Sequence, residues 1–354
     1  TVADVVPLLS ENRILVKAGL SALHRTSKTG LLALIEACSL IPEQLTAYHL
    51  GFVIGPSFNA VGRLSDVKTA FELLQTKDER RACMLASEIR ALNERRRDET
   101  VRGTEEAVEI VENAPWKEDR ILLVRLHGVH ESVVGIIAGR LKELYRRPVY
   151  VFTDAEEGIK GSGRSVEAYH MLDGLIPAKG LLTRFGGHAM AAGLSLPEEN
   201  LEELRSYLNE SCTLTEKDLQ PVVHVDARVP FRYVTENLTS ELAALAPYGT
   251  GNPRPVFALT HLNITSLRVV GKKQNVVRMT LRDEYGDLMD AVHFSEPEAL
   301  FTLIREEFGE KELEKALHAS NNSIDLAFTF YPDINEYMGR KSVQIVCTSY
   351  CRIR

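Results

Sequence analysis

Apolar residues recur at Ala82, Leu85, Ile89 and Leu92, and again at Val101, Val108 and Ile110, with charged residues filling most positions between them. Residues three and four apart share one helix face, so this spacing predicts a long helix from Lys77 to about Glu112. Gly103 is its weak point, and Pro115 ends it. Such a helix would reach roughly 50 Å at about 1.5 Å per residue. It reads as a solvated helix packing one face, or as a strut joining two domains; candidate chemistry on both sides of it favours the strut.

Before the helix, residues 1–67 alternate short helical and loop signals. Residues 31–38 form a buried helix, stopped at Ile41-Pro42 because the residue before proline is driven out of the helical region. After it the pattern becomes α/β: a strand over 121–124, a helix over 133–145, a strand over 148–152 and a helix over 198–208. From about Thr213 the style changes again. Residues 222–225, 256–267, 276–281, 288–293, 324–330 and 343–347 are strand-like, and short strands at such spacing predict a small barrel. The predicted fold class is α/β plus β, with breaks near residues 76, 114 and 212.

A chain of 354 residues exceeds one ordinary core, which agrees with two or three domains. The net charge of −7 means that any nucleic-acid binding must use a local basic surface. The cysteine count of five is odd and no Cys-x-x-Cys pair occurs, so reduced thiols in a cytoplasmic protein fit better than disulfides or zinc. No apolar run reaches the roughly 18–20 residues of a membrane helix. No signal segment is visible, and the start at Thr1, without Met, reads as a cut inside a longer protein.

Three stretches bring glycine together with polar residues. Gly55-Pro56 opens a turn, followed closely by Asn59, Gly62 and Arg63. Gly161-Ser162-Gly163-Arg164-Ser165 offers two glycines, two hydroxyls and a guanidinium as a loop that cradles phosphate. Gly186-Gly187-His188 is a glycine turn before a run of small residues, with His188 placed to donate to a phosphate or move a proton. His130 stands at a helix N-terminus, a natural place to meet an anion, with Arg140 further along the same helix. His127 and His130 have metal-like spacing, but no third ligand stands near them in the sequence. Tyr248 to Phe257 is a rigid turn between helix and strand, and Lys272, Lys273 and Arg278 are the cations of the barrel region. Each stretch alone is also compatible with an ordinary turn.

Taken in order, these motifs resemble the RecJ family of single-strand-specific DNA exonucleases in the DHH phosphoesterase superfamily. Asn59 and Arg63 fall on the family's Gly-Pro-x-x-Asn-Ala-x-Gly-Arg-Leu motif, His130 and Gly135 on the next, Ser162 and Arg164 on its phosphate-gripping loop, and His188 on its Gly-Gly-His motif. Ser57 stands where the family often has Arg, and Ser132 where it usually has Gly. The resemblance implies that residues 1–76 end a DHH α/β domain, 77–114 form a connecting helix, 115–212 a DHH-associated substrate-binding domain, and 213–354 an OB-fold domain. It implies 5′-to-3′ exonuclease activity on single-stranded DNA in repair and recombination, with Mn²⁺ or Mg²⁺ in the intact protein. Arg63, Ser162 and Arg164 would hold phosphates and His188 would sit near the reacting one. A single-strand-binding protein or a helicase would be its partner. The family's metal ligands precede the first residue here, so this stretch alone would be inactive. The rival reading is a non-catalytic module that binds single strands or a partner protein.

Overall fold

The protein is described by a computed structural model covering residues 1–353, apart from Pro221, Lys272 and Met338. It divides into two compact units, Leu20–Val222 and Thr1–Gly19 with Val223–Arg354. The boundary near residue 19 falls inside helix α1 (Ser10–Leu23).

In the unit Leu20–Val222, helices α2 (Thr29–Ala37), α3 (Gly55–Leu64) and α4 (Lys68–Gln75) pack on the first half of α5 (Glu79–Asn113). Leu34, Ile35, Val61, Leu73, Leu85 and Ile89 form that core. Helix α5 is the predicted long helix. It starts after Asp78, whose carboxylate accepts the Arg81 N–H at 3.0 Å. Its buried seam continues through Thr100, Gly103, Ala107 and Val111, whereas Val101 is exposed. Gly103 is therefore not a weak point. A Cβ there would meet Ile137 Cδ1 at 2.6 Å, so the missing side chain admits the next helix.

The second half of α5 lies against a sheet ordered β1-β2-β3-β5-β4: β1 (Leu122–Arg125), β2 (Val149–Asp154), β3 (Ile159–Arg164), β4 (Arg184–His188) and β5 (Ala191–Leu196). Strands β1 and β2 are parallel, joined by α6 (Glu131–Tyr145); the other pairings are antiparallel. Leu122, Val124, Val149 and Val151 face Ala107, Val111, Ile137 and Leu141. Leu123, Tyr150 and Phe152 face the other way, toward α7 (Met171–Leu175) and α8 (Leu201–Glu210). Burial on both faces explains why these strands read as continuous apolar runs.

Three expected turns are regular structure. Gly55-Pro56 lies in a helix: the π turn Leu50–Ile54 runs straight into α3, whose second residue is Pro56. Residues 161–164 belong to strand β3, bonded on both sides to β2 and β5, and Ser165 follows it. Gly186, Gly187 and His188 belong to the edge strand β4.

The other unit is built on a barrel. Strand β6 (Ala227–Arg228) flanks β7 (Phe257–Val270), and β7, β8 (Val276–Arg282), β9 (Leu288–His293), β11 (Arg340–Cys351) and β10 (Asp325–Tyr337) follow in sheet order, with β10 returning to β7 to close it. Helices α10 (Pro297–Phe308) and α11 (Glu310–Leu317) connect β9 to β10, and α9 (Glu236–Ala243) precedes β7. This is the predicted OB-fold barrel. Residues 222–225 are not a strand; Val222, Val223 and Val225 are exposed, and the chain pairs only from Ala227. Strand β7 keeps Leu259 and Leu262 both inside through a bulge at His261, whose φ is +59°. The first nineteen residues pack in this unit: Leu8 N–H donates to Thr250 O at 2.6 Å, and Arg13 Nη2 to Ala246 O at 3.1 Å. Residues 20–76, which the sequence reading grouped with them, lie in the helical core of the other unit.

The glycines of β3 serve packing. A Cβ on Gly161 would stand 2.5 Å from the Phe152 ring, whereas one on Gly186 would meet nothing within 4 Å. Gly161→Ala is expected to destabilise the protein by about 1–3 kcal/mol, and Gly186→Ala by less than about 0.5 kcal/mol. Urea unfolding of both variants checks this; equal stabilities would refute the packing role.

Candidate phosphate-binding site

Alternation along β3 separates packing from chemistry. Gly161 and Gly163 lie against Phe152 and Tyr150, while Lys160, Ser162 and Arg164 point to the face covered by α6. Gly135 of α6 makes the close approach possible: a Cβ there would stand 2.9 Å from both Ser162 Oγ and Arg164 Nη2. Arg164 Nη1 donates to Ser162 Oγ at 3.0 Å and to Gly163 O at 2.7 Å.

The register extends this face across the sheet. Lys160, Ser195 and Arg184 form one row, Ser162, Gly193 and Gly186 the next, and Arg164, Ala191 and His188 the third. Residues paired directly across strands share a face. Arg164 and His188 therefore project to the same side, two strand spacings or roughly 10 Å apart, with only a methyl group between them. The middle row has no side chain beyond Ser162. A trough of about 1370 Å³ runs here, lined by Lys160, Arg184, Gly193 and Ser195, by residues 128–131 at the start of α6, and also by the carboxylates Glu99, Asp154, Glu156 and Glu157; Lys160 is paired with Glu131 at 2.6 Å.

That helix start is held by a small polar network. His130 is the N-cap, its Nδ1 accepting the Ser132 N–H at 3.2 Å and lying 2.7 Å from Ser132 Oγ. Its own N–H donates to Glu99 Oε1 of α5 at 2.7 Å. Arg63, one turn beyond Asn59 on the exposed side of α3, donates to Ser132 O. The preceding loop is fastened by Asp154, which pairs with Arg125 and accepts the Gly128 N–H at 2.7 Å.

Arg63, Arg96, Arg140 and Arg164 have no carboxylate within salt-bridge distance among the described residues. Burial lowers the pKa of Arg164, and the charge of Arg63 lowers it further. Burial likewise lowers Arg96, followed by the charges of Arg63, Arg97 and Arg140. Crowded, partly desolvated guanidiniums without a counter-ion are an arrangement that an oxyanion would stabilise.

Of the residues singled out from sequence, Arg63, His130, Arg140, Ser162 and Arg164 gather around the start and flank of α6, Asn59 lies one turn from Arg63, and His188 shares the sheet face. His127 makes an exposed contact with Asp154, Nδ1 to Oδ1 3.5 Å, and no three His, Cys, Asp or Glu side chains among the described residues come together as metal ligands. Sequence reading missed Lys160 and Arg184, which the period-two spacings 160-162-164 and 184-186-188 would have revealed had these stretches been read as strands. It also missed Arg96. Its signal was a polar interruption of the helical seam, since Ile89, Asn93, Arg96, Thr100 and Gly103 lie on one face.

On the barrel, Lys273 is exposed in the β7–β8 turn, and Lys272 lies outside the described residues. Arg278 is paired with Asp290 at 3.3 Å. It stands directly across from Arg268, with Arg282 further along the same outward face, so β7 and β8 present a basic strip that the sequence reading found only in part. Arg254 lies 4.2 Å from the Tyr331 ring and Arg232 4.1 Å from that of Tyr285, cation–aromatic pairs that were not foreseen as pairs.

Residues 118–213 match the family model of the DHHA1 domain, and residues 225–349 that of the RecJ OB domain. The single-stranded-DNA-specific exonuclease RecJ of Bacillus subtilis (strain 168) is 37% identical over 302 residues, covering 84% of this chain and 38% of that protein. RecJ of Escherichia coli (strain K12) is 34% identical over 359 residues, covering 98% and 59%. This chain is a RecJ homologue. The crystal structure of RecJ in complex with Mn²⁺ from Thermus thermophilus superposes over the whole chain with a TM-score of 0.79 at 25% identity, covering 48% of that chain. RecJ from the same source in complex with Mg²⁺ gives 0.78, covering 51%. The homologue spans between 37% and 59% of the length of the curated RecJ proteins it matches. Its two named domains place it in the DHH superfamily, with an OB-fold after the DHHA1 domain.

Asp154 gives a pH test of the loop that precedes His130. The hydrogen bond from Arg125, then that from Gly128, hold its carboxyl at about 2. A depressed folded-state value stabilises the fold above the unfolded value of about 3.9 and is lost as pH falls through the folded one. Asp154→Asn is therefore expected to lower stability at neutral pH and to flatten the acid limb between about pH 4 and about pH 2. Thermal midpoints across that range check this; an unchanged acid limb would show that the Arg125 pair adds nothing.

Proposed function

We propose that this chain carries the strand-holding part of an exonuclease that degrades single-stranded DNA from 5′ to 3′ in DNA repair and recombination, by metal-dependent phosphodiester hydrolysis in the intact protein. The observation that supports this most is the gathering of Arg63, Arg140 and Arg164, with no carboxylate partner among the described residues, beside Ser162 and a glycine-floored trough. In this reading Arg63, Ser162 and Arg164 hold phosphates of the strand, including that at its 5′ end. Asn59 orients one of them, and His130 and Arg140 flank the path. His188 stands by the phosphate under attack. Its Nδ1 accepts the Met190 N–H at 3.3 Å, which leaves Nε2 to carry the proton it offers.

Mn²⁺ or Mg²⁺, present with the Thermus RecJ structures, is proposed for the intact protein, where it would supply the hydrolytic chemistry. The described residues form no ligand cluster. We read this stretch by itself as binding without hydrolysing. Single-stranded DNA is the proposed substrate, a single-strand-binding protein or a helicase the proposed partner, and the cytoplasm the proposed location. No helix among the described residues is long and apolar enough to cross a membrane.

The direct test is Arg164→Ala, with affinity for a 5′-phosphorylated oligothymidylate measured by fluorescence anisotropy. Loss of a charge-assisted contact is expected to weaken binding by about 1.5–3 kcal/mol. Wild-type affinity in the variant would sink the reading.

The barrel has its own test. Arg268, without a carboxylate partner among the described residues, stands across from Arg278, which Asp290 pairs only from one side, and a phosphate could bridge the two guanidiniums. Replacing both by Ala is expected to weaken single-strand binding and to make its salt dependence shallower by about one to two contacts' worth of slope. An unchanged slope, or equal binding of duplex by the parent chain, would take the barrel out of the strand's path.

A further inference from the structure

Helix α5 carries a group that the strand-holding set above does not use. Arg96 lies at its midpoint, and its Nε is buried with no hydrogen-bond acceptor. The guanidinium makes no salt bridge among the described residues, unlike that of Arg205, the other arginine whose Nε is unpaired. Arg205 is compensated through its remaining nitrogens by Glu202 and by Leu123 O at 2.8 Å, and it stacks on Trp116 at 4.2 Å.

Two carboxylates near Arg96 along the helix are engaged elsewhere. Glu99, one turn on, accepts the His130 N–H, and Glu94 pairs with Arg90 at 2.9 Å. The Asn93 carboxamide donates to Ser57 Oγ at 3.3 Å, and its buried Oδ1 remains without a donor. The charges that bear on Arg96 are all positive: Arg63, Arg97 and Arg140. Nor is the side chain free to swing away with its backbone. The helix is clamped on one side of it by Ile89 and on the other by Thr100 and Gly103, all buried. A partly desolvated cation with an unsatisfied N–H and three other guanidiniums acting on it destabilises the fold by itself, and an oxyanion would remove that cost.

We infer that Arg96 is a further phosphate-contacting residue of the site of Arg63, Ser162 and Arg164, reaching a phosphate of the bound single strand from the connecting helix. The inference rests on the strand-holding function proposed above. It makes α5 part of the binding surface as well as the link between two cores.

The test uses this chain with Arg96→Met and Arg96→Lys, and Arg164→Ala as reference. Thermal midpoints are measured without ligand, and affinities for a 5′-phosphorylated oligothymidylate by fluorescence anisotropy. Arg96→Met is expected to keep or raise the midpoint and to bind at least about tenfold more weakly. Arg96→Lys, which keeps the charge but loses the planar fork, is expected to fall between it and wild type. A lowered midpoint with unchanged affinity in Arg96→Met would make Arg96 a structural residue and overturn the inference. Should Arg96→Met not fold, wild-type affinity in Arg96→Lys overturns it equally. If Arg164→Ala binds weakly while the Arg96 variants bind as wild type, only this inference fails. If wild type does not bind or Arg164→Ala changes nothing, the strand-holding function itself fails.

Discussion

The unit Leu20–Val222 depends on one helix being shared by two hydrophobic cores. The first half of α5 is buried by α2, α3 and α4, and its second half by α6 and the sheet. Because a helix interior bends little, this fixes Arg63 at the end of α3 relative to Ser132 at the start of α6. A flexible connection would leave Arg63, Arg96, Arg140 and Arg164 to separate under their mutual repulsion. The apolar contacts at Ala82, Leu85, Ile89, Ala107 and Val111 hold the cations together.

A second constraint acts within the sheet. Strand β3 must accept the Tyr150 and Phe152 rings on one face, so its inward positions are glycine. Its outward positions, Lys160, Ser162 and Arg164, are thereby presented as a row on a rigid element. The same period of two places Arg184, Gly186 and His188 in line with them across β5. The glycines look like phosphate-loop residues in the sequence, but at Gly161 and Gly163 they are packing residues. At Gly186 and Gly193 a Cβ would meet nothing within 4 Å, and Gly193 lines the trough.

The chain is acidic as a whole, and yet both units present local positive surface. Many carboxylates sit in ion pairs, such as Asp154 and Glu198 with Arg125, Glu72 with Arg81, and Glu298 and Glu310 with Arg305. Among the described residues the guanidiniums without a carboxylate partner include Arg63, Arg96, Arg140 and Arg164 around α6, and Arg268 and Arg282 on the outer face of β7 and β8. Net charge therefore says little about this protein's partners, whereas the distribution of unpaired cations says much.

By itself the sequence determined the long helix, the α/β pattern around residues 121–152 and the barrel, because each rests on apolar periodicity over many residues. It also supplied most of the candidate site, since Arg63, His130, Ser162, Arg164 and His188 stand in short motifs. Tertiary structure decided what local pattern could not. Gly55-Pro56 and Gly161 to Ser165 read as turns because glycine and proline mark turns in isolation; a π turn leading into α3, and two neighbouring strands with aromatic rings, make them helix and strand. Residues 222–225 read as a strand because they are apolar, but no partner pairs with them. Lys160, Arg184 and Arg96 became visible only through sheet register and burial. Their roles depend on which residues lie opposite them, and that is settled by packing between elements far apart in the chain.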